Sequence, residues 1–371
     1  MPTEEQVRTA LRNVLDPEIG RPIEDIGMLH SIDIQGGDVN VHVLITIEGC
    51  PLKDRITNDV TGAITPLEGV ERVKVELTPM SPDERQALVE NLRGAALGPH
   101  AGGPQRTISF PPQTSVIAIA SGKGGVGKSS VTVNLAATLV ADGHRVGILD
   151  ADVWGFSVPR MLGVSGQPVG FNDMILPLEG YGVKVISMGF FVPEEQPVIW
   201  RGPMLHKAIE QFLGDVYWGD LDFLLCDLPP GTGDVSISLA AFLPGASMLV
   251  VTTPQEAARK VAERAGKMAE RTNMRAIGVV ENMSYYLCPH CGDREEIFGS
   301  GGGLEAAKTL GVPLMAQIPL VPALRAGGDV GAPLVVTDPD APASVALKEA
   351  AEALRHATKS KLGKPLTLMA R

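Results

Sequence analysis

The sequence predicts an α/β fold: a mainly parallel sheet with helices on both faces, preceded by a small α+β domain. Three observations predict it. From Val116 onward, apolar runs of strand length alternate with stretches of helical spacing. A glycine-rich turn, Gly122-Lys123-Gly124-Gly125-Val126-Gly127-Lys128-Ser129, stands between the first of these runs and the first helix. Residues 94–114 are crowded with glycine and proline and carry few periodic hydrophobics, which sets the preceding residues apart.

The expected organisation is a small domain over 1–93, a flexible linker over 94–114, a large domain over 115–358 and a basic tail over 359–371. In the small domain, Glu4 to Leu15 has helical spacing and Val41 to Ile47 reads as a strand. Pro51 is placed to begin a helix running to about Ile64, because proline is tolerated at a first helical position. Val70 to Leu77 reads as a second strand, and Pro82 to Leu92 as a helix. In the large domain the expected strands are Val116–Ala120, Arg145–Asp150, Phe223–Asp227, Met248–Thr252, Ala276–Glu281 and Pro313–Ile318. Helical spacing returns from Ala343 to Ala357. Ligands of such sheets sit at the carboxyl ends of the strands, and the polar motifs follow those ends.

The chain of 371 residues has room for two domains and a large core, and its 44% hydrophobic and 20% charged residues suit a soluble globular protein. A net charge of −11 argues against a general nucleic-acid binder. No run of about 18 uninterrupted apolar residues predicts a membrane span. The start, Met-Pro-Thr-Glu-Glu-Gln, is unlike a secretory signal. Four cysteines, at 50, 226, 288 and 291, are too few for a disulfide scaffold. The expectation is a cytoplasmic protein that binds neither nucleic acid nor membrane.

Strand, glycine-rich turn and helix in that order make a phosphate-binding loop over Gly122–Ser129, running into the helix through Ser130. The glycines let the backbone approach the phosphates, and N–H groups at the helix start face the anion. Lys128 would meet the β- and γ-phosphates of ATP, and the Ser129 hydroxyl would join a magnesium shell. Asp150-Ala151-Asp152 closes the next strand. Asp152 is suited to orienting the attacking water, and Asp150 to supporting the magnesium shell. Asp227 ends the strand Phe223–Asp227 and fits a carboxylate that holds magnesium through water. Pro229-Pro230-Gly231-Thr232-Gly233 follows it and is read as a loop that changes shape when the γ-phosphate leaves. Cys226 lies inside the apolar strand and reads as a small buried hydrophobe.

Cys288-Pro289-His290-Cys291 supplies two thiolates, whereas a tetrahedral zinc or a four-thiolate iron–sulfur cluster needs four. No second such pair exists in the chain. A two-fold axis would bring an identical pair from a partner. On the residues alone, a thiol–disulfide pair, a zinc site between subunits and a plain turn stay open. Cys50, before a helix start, is either a structural thiol or one with a depressed pKa.

Gly-Lys-Gly-Gly-Val-Gly-Lys-Ser, with its early Lys123, resembles the deviant Walker ATPases. Within them, the segment from Asp150 to Gly163, Trp200-Arg201-Gly202-Pro203-Met204, Cys226 to Asp234 and Glu281-Asn282-Met283-Ser284 resemble the Mrp/ApbC-type cluster carriers. Trp154 and Phe156 depart from that family, which has tyrosine and proline there. Asp16-Pro17-Glu18-Ile19, Asp25-Ile26-Gly27-Met28 and the Cys50 segment resemble the small metal–sulfur cluster assembly domain, although Glu48 departs from it. The resemblance implies that Lys123 reaches across a homodimer to the partner's nucleotide and that Asn282 contacts adenine. It also implies a labile 4Fe–4S cluster bridged between protomers by Cys288 and Cys291 and delivered to apo-proteins. A Min- or partition-type ATPase is the alternative; it explains the two loop lysines but not the cysteine pair.

Overall fold

The computed structural model describes residues 2–358 apart from 18, 20, 46–52, 82–83, 85–87, 89–107, 109, 153–154, 172–173, 192–201, 232–234, 236–238, 240, 244, 256–257, 273 and 289. Cys50, Trp154, Trp200, most of the Pro82–Leu92 helix and the basic tail lie outside the described residues. The chain divides into two compact units. One comprises residues 1–103 with 169–176, the other 104–168 with 177–371.

In the small unit, α1 (Glu4–Leu11) opens with a capping box in which Thr3 and Gln6 exchange hydrogen bonds. It ends earlier than its hydrophobic spacing predicts. Strands β1 (Leu29–Gln35) and β2 (Asp38–Ile45) pair antiparallel, and helix α2 (Lys53–Ile64) leads to β3 (Arg72–Pro79), which pairs parallel with β2. Val39, Val41 and Val43 of β2 are fully buried, as are Val7 and Leu11 of α1 and Val60 and Ile64 of α2. Alternating burial along β2 and one apolar stripe per helix make this core.

The large unit is built on an eight-stranded sheet. Strand β4 (Ser115–Ala120) runs into helix α3 (Lys128–Ala141), and β5 (Val146–Asp150) into α4 (Val158–Met161). The short strands β6 (Val169–Phe171) and β7 (Met174–Leu176) interrupt this unit in sequence and form a separate hairpin that groups with the small unit. Then come β8 (Leu178–Gly180), β9 (Val183–Ser187), α5 (Gly202–Gly214), β10 (Phe223–Asp227), β11 (Ser247–Thr252), α6 (Ala258–Thr272) and β12 (Arg275–Glu281). A two-stranded excursion, β13 (Tyr286–Leu287) and β14 (Arg294–Glu295), precedes α7 (Gly302–Leu310) and β15 (Leu314–Gln317). Helices α8 (Pro322–Val330), α9 (Leu334–Thr337) and α10 (Pro342–Thr358) close the unit.

The sheet order is β15-β12-β11-β4-β10-β5-β9-β8, and only the edge strand β8 pairs antiparallel. All six strands expected in the large domain are present, within two residues at each end. β5 and β10 are buried at every position, as strands covered on both faces must be. β4 sits centrally, with β10 on one side and β11 on the other. The chain runs from β4 to β5 on the β10 side and later crosses from β10 to β11 on the opposite side, so the winding direction switches at β4. That makes a crevice at its carboxyl end, which is where the glycine-rich turn lies.

One expectation needs correcting. The linker does not run undisturbed to Thr114. The Thr114 N–H donates to the Pro111 carbonyl at 2.8 Å, and its hydroxyl donates to the Leu221 carbonyl at 2.7 Å. Proline at 111 and 112 fixes φ and suits a turn, so the last residues of the expected linker belong to the large unit.

Candidate nucleotide site and cysteine hairpin

The loop Gly122–Ser129 bends through left-handed backbone at Gly125 and Gly127, both with φ of +77°. A side chain at Gly127 would also collide with the Asn282 amide, so close approach and backbone sign both demand glycine there. Helix α3 starts at Lys128 with no side-chain cap, which leaves its first N–H groups to an anion. The helix is buried on nearly all sides, so the loop rests on a rigid base.

Lys128 and Asp227 form a buried ion pair, with Nζ 2.7 Å from Oδ2; they are 6% and 0% exposed. The Ser129 hydroxyl donates to Asp227 Oδ2 at 2.5 Å, and the Thr132 hydroxyl donates to Oδ1 at 2.9 Å. A serine hydroxyl beside a carboxylate is the hard-oxygen donor set that magnesium takes, so these residues fit the ion. Asp150 lies opposite Asp227 on the neighbouring strand. Burial, then the Asp227 charge, push its carboxyl up to about 8. The Ser187 hydroxyl and the Asp152 N–H donate to it at 2.9 and 3.2 Å. Asp152 is 8% exposed and accepts from the Gly155 N–H at 3.2 Å. Three strand ends thus bring Lys128, Ser129, Asp150, Asp152 and Asp227 together.

Lys123 donates from Nζ to Oε1 of Gln255, in the same chain. Its carbonyl accepts from the Ser121 hydroxyl at 3.2 Å, and the Ser121 carbonyl accepts from Gly231 N–H at 2.9 Å. The loop after β10 is therefore tied to the phosphate loop. Asn282 donates from Nδ2 to the Val126 carbonyl at 2.9 Å, while its Oδ1 is buried with no partner. An exocyclic amine would satisfy that orphaned acceptor, which fits an adenine contact. Ser130 caps nothing, but its carbonyl accepts from Asn134 Nδ2 at 2.9 Å.

Sequence reasoning missed Thr132, Ser187 and Gln255. Thr132 was findable: it lies one turn after Lys128 on the same helix face. Ser187 ends a strand that the apolar pattern did not reveal, and nothing in the sequence points to Gln255.

The cysteine pair sits at the tip of the β13–β14 hairpin. Cys288 N–H donates to the Asp293 carbonyl at 3.0 Å, and Gly292 N–H to the Cys288 carbonyl at 2.9 Å. Gly292 has φ of +76°, which closes the turn. Cys288 is half-buried and Cys291 exposed. The Cys291 and His290 N–H groups, then the Cys291 thiol, hold the Cys288 thiol below its usual range, toward the thiolate that binds metal. Arg294 stacks 3.9 Å over the Tyr285 ring and steadies the hairpin. Among the described residues no three of His, Cys, Asp and Glu gather to hold a metal. Cys226 is buried, and burial drives its thiol up, which suits packing and not ligation.

A parallel sheet with a double-lysine phosphate loop and carboxylates at the adjoining strand ends defines a P-loop NTPase. The family model described as NUBPL iron-transfer P-loop NTPase matches residues 113–355, and the one described as iron-sulfur cluster assembly protein matches 4–77. The chain belongs to this NUBPL-type P-loop NTPase family, with a cluster-assembly domain ahead of it. It is 51% identical to an iron-sulfur cluster carrier protein of Mycobacterium leprae, over 94% of this chain and 91% of that protein. It is 42% identical to an iron-sulfur cluster carrier protein of Synechocystis, over 94% and 95% of the two chains. Among solved structures, a nucleotide-binding protein from Archaeoglobus fulgidus in complex with ADP is 38% identical. It covers 59% of this chain and 87% of its own, with a TM-score of 0.53.

Proposed function

We propose that the chain is an ATP-dependent iron–sulfur cluster carrier that holds a 4Fe–4S cluster at a homodimer interface and passes it to apo-proteins. The observation that carries this is the hairpin tip, which presents Cys288 and Cys291 beside each other, with the Cys288 thiol held toward the thiolate form. Two thiolates leave two positions unfilled, and a second copy of the chain supplies them. The carrier relatives support the same reading. The Min- or partition-type alternative gives the cysteine hairpin no role. Among the described residues no helix is long and apolar enough to cross a membrane. The reading places the protein in the cytoplasm, where thiols stay reduced.

ATP would lie with its phosphates in Gly122–Ser130. Lys128 would leave Asp227 for the β- and γ-phosphates, and Ser129 and Asp227 would hold magnesium, which supplies positive charge to the phosphates. Asp152 would orient the attacking water, and Lys123 would exchange Gln255 for the partner's nucleotide. Hydrolysis would then alter the dimer and its hold on the cluster.

The test is anaerobic reconstitution with iron and sulfide, followed by iron and protein counting. The expected result is about four iron per dimer, transferable to an apo-acceptor, and lost in Cys288→Ser or Cys291→Ser with ATP binding retained. Stoichiometric zinc that resists iron would make the site structural. No metal of either kind would return the chain to the partition-type reading.

A further inference from the structure

The buried carboxylate of Glu281 has no place in the site so far described, yet it touches everything around it. It ends β12 and is fully buried. Oε1 accepts from the Ser284 hydroxyl at 2.5 Å and from Gln317 Nε2 at 2.7 Å, and Oε2 accepts from the Gly303 N–H at 2.5 Å. A carboxylate is the one side chain of this size that accepts on both oxygens without presenting a donor. Here three donors come from three different segments.

Each segment leads to a functional group. Ser284 begins the chain that reaches Cys288 four residues later. That chain is fastened at each step: Ser284 N–H to the Ile318 carbonyl at 2.9 Å, Leu320 N–H to the Tyr285 carbonyl at 2.7 Å, then the β13–β14 pairing. Gln317 belongs to the strand leading to Ile318 and Leu320, so Glu281 grips both sides of the hairpin's base. Gly303 lies in the first turn of α7. A side chain there would come within 2.6 Å of Glu281 Cβ, and one at Gly302 within 2.5 Å of the Pro254 carbonyl. The start of α7 is therefore clamped between Glu281 and Pro254-Gln255, and Gln255 holds Lys123. On the other side of Glu281, Asn282 binds the Val126 carbonyl of the phosphate loop. Met283, between Asn282 and Ser284, holds a left-handed backbone at φ +56°, a strained conformation that this network keeps in place.

We propose that Glu281 is a positioning residue that couples nucleotide binding to the Cys288–Cys291 hairpin. Movement of Asn282 toward a base, or of Lys123 off Gln255, reaches the hairpin through this carboxylate. The inference rests on the nucleotide and cysteine sites described above, but not on cluster transfer.

The test uses the cluster-free, full-length protein. Alkylation of Cys288 and Cys291 by iodoacetamide is followed peptide by peptide with mass spectrometry, with and without ADP or a non-hydrolysable ATP analogue. In the wild type, nucleotide should change the rate about fivefold or more, in the range of ordinary allosteric coupling. In Glu281→Gln, whose amide sets a donor against one of the three donors, the change should fall below about twofold while ADP affinity stays within about threefold. Ser284→Ala cuts only the arm to the hairpin and should give the same loss, which keeps the test decisive if Glu281→Gln folds poorly. A purely structural role would raise reactivity equally with and without nucleotide, and that result would overturn the proposal. So would a wild-type rate indifferent to nucleotide, or full coupling in both variants. Iron counting on the same preparations reports separately on the carrier reading.

Discussion

Lys128 serves two states of the molecule. Without nucleotide it neutralises Asp227, which is buried beside Asp150. Lys128→Ala should therefore abolish hydrolysis by removing the charge on the β- and γ-phosphates, and should also destabilise the nucleotide-free chain. Breaking a buried pair costs about 3–5 kcal/mol, and the low end applies because the Ser129 and Thr132 hydroxyls stay on Asp227. Calorimetry and phosphate release check the first claim, and thermal unfolding the second. Asp152→Asn should lower turnover more than binding; wild-type turnover in either variant would refute the assignment. Asp150 adds a pH dependence. Its carboxyl is raised from 3.8 to about 8 in the folded chain, so the folded state binds the proton more tightly than the unfolded one. Its contribution is fully present below about pH 4 and is lost as pH rises through about 8. Asp150→Asn, which stays neutral, should flatten the stability of the nucleotide-free protein across that window. Unfolding scans at several pH values would read it.

Elements differ in how plainly the sequence announces them. β4, β10 and β11 are unbroken apolar runs because both faces are covered, and each was legible. β1 was not: Leu29-His-Ser-Ile-Asp-Ile-Gln is a half-exposed edge strand in which polar residues outnumber apolar ones. β6, β7 and β8 have three residues each, too short for any periodicity to register. The site divides the same way. Lys128, Ser129, Asp227 and the cysteine pair are carried by local motifs. The partners Ser187, Gln255 and Glu281 become visible only when the sheet brings distant segments together, because no spacing along the chain encodes them. The phosphate loop as an element carries its own prediction. Lys123 is held by Gln255 in the single chain, so Lys123→Ala should spare nucleotide binding but weaken ATP-dependent dimer closure. Mixing it with Lys128→Ala protein tests action in trans. Hydrolysis and sedimentation like the wild type would end the cross-subunit role.

At the scale of the whole chain, the question is where the nucleotide-binding unit begins. Composition places the end of the linker at residue 114, but Pro111–Thr114 is an ordered turn hydrogen-bonded to the Leu221 carbonyl. Phe110, Pro111 and Pro112 also line a cavity of about 860 Å³ together with Phe223, Leu243 and Ala246, at the amino ends of the central strands. A fragment starting at residue 104 keeps these contacts; one starting at 115 loses them. We expect the 104–371 fragment to fold and bind ADP, since the large unit holds the entire phosphate site. The 115–371 fragment should bind ADP too, but it forfeits at least the Thr114 hydrogen bond, worth about 1 kcal/mol. In a domain of this size that lowers the melting temperature by about 2–4 °C, and by more once Phe110 no longer covers apolar surface. Differential scanning calorimetry of the two fragments, with ADP titrations on each, makes the comparison. Equal melting temperatures would return the boundary to 114. A 104–371 fragment that is molten or fails to bind ADP would mean that the phosphate site depends on residues 1–103.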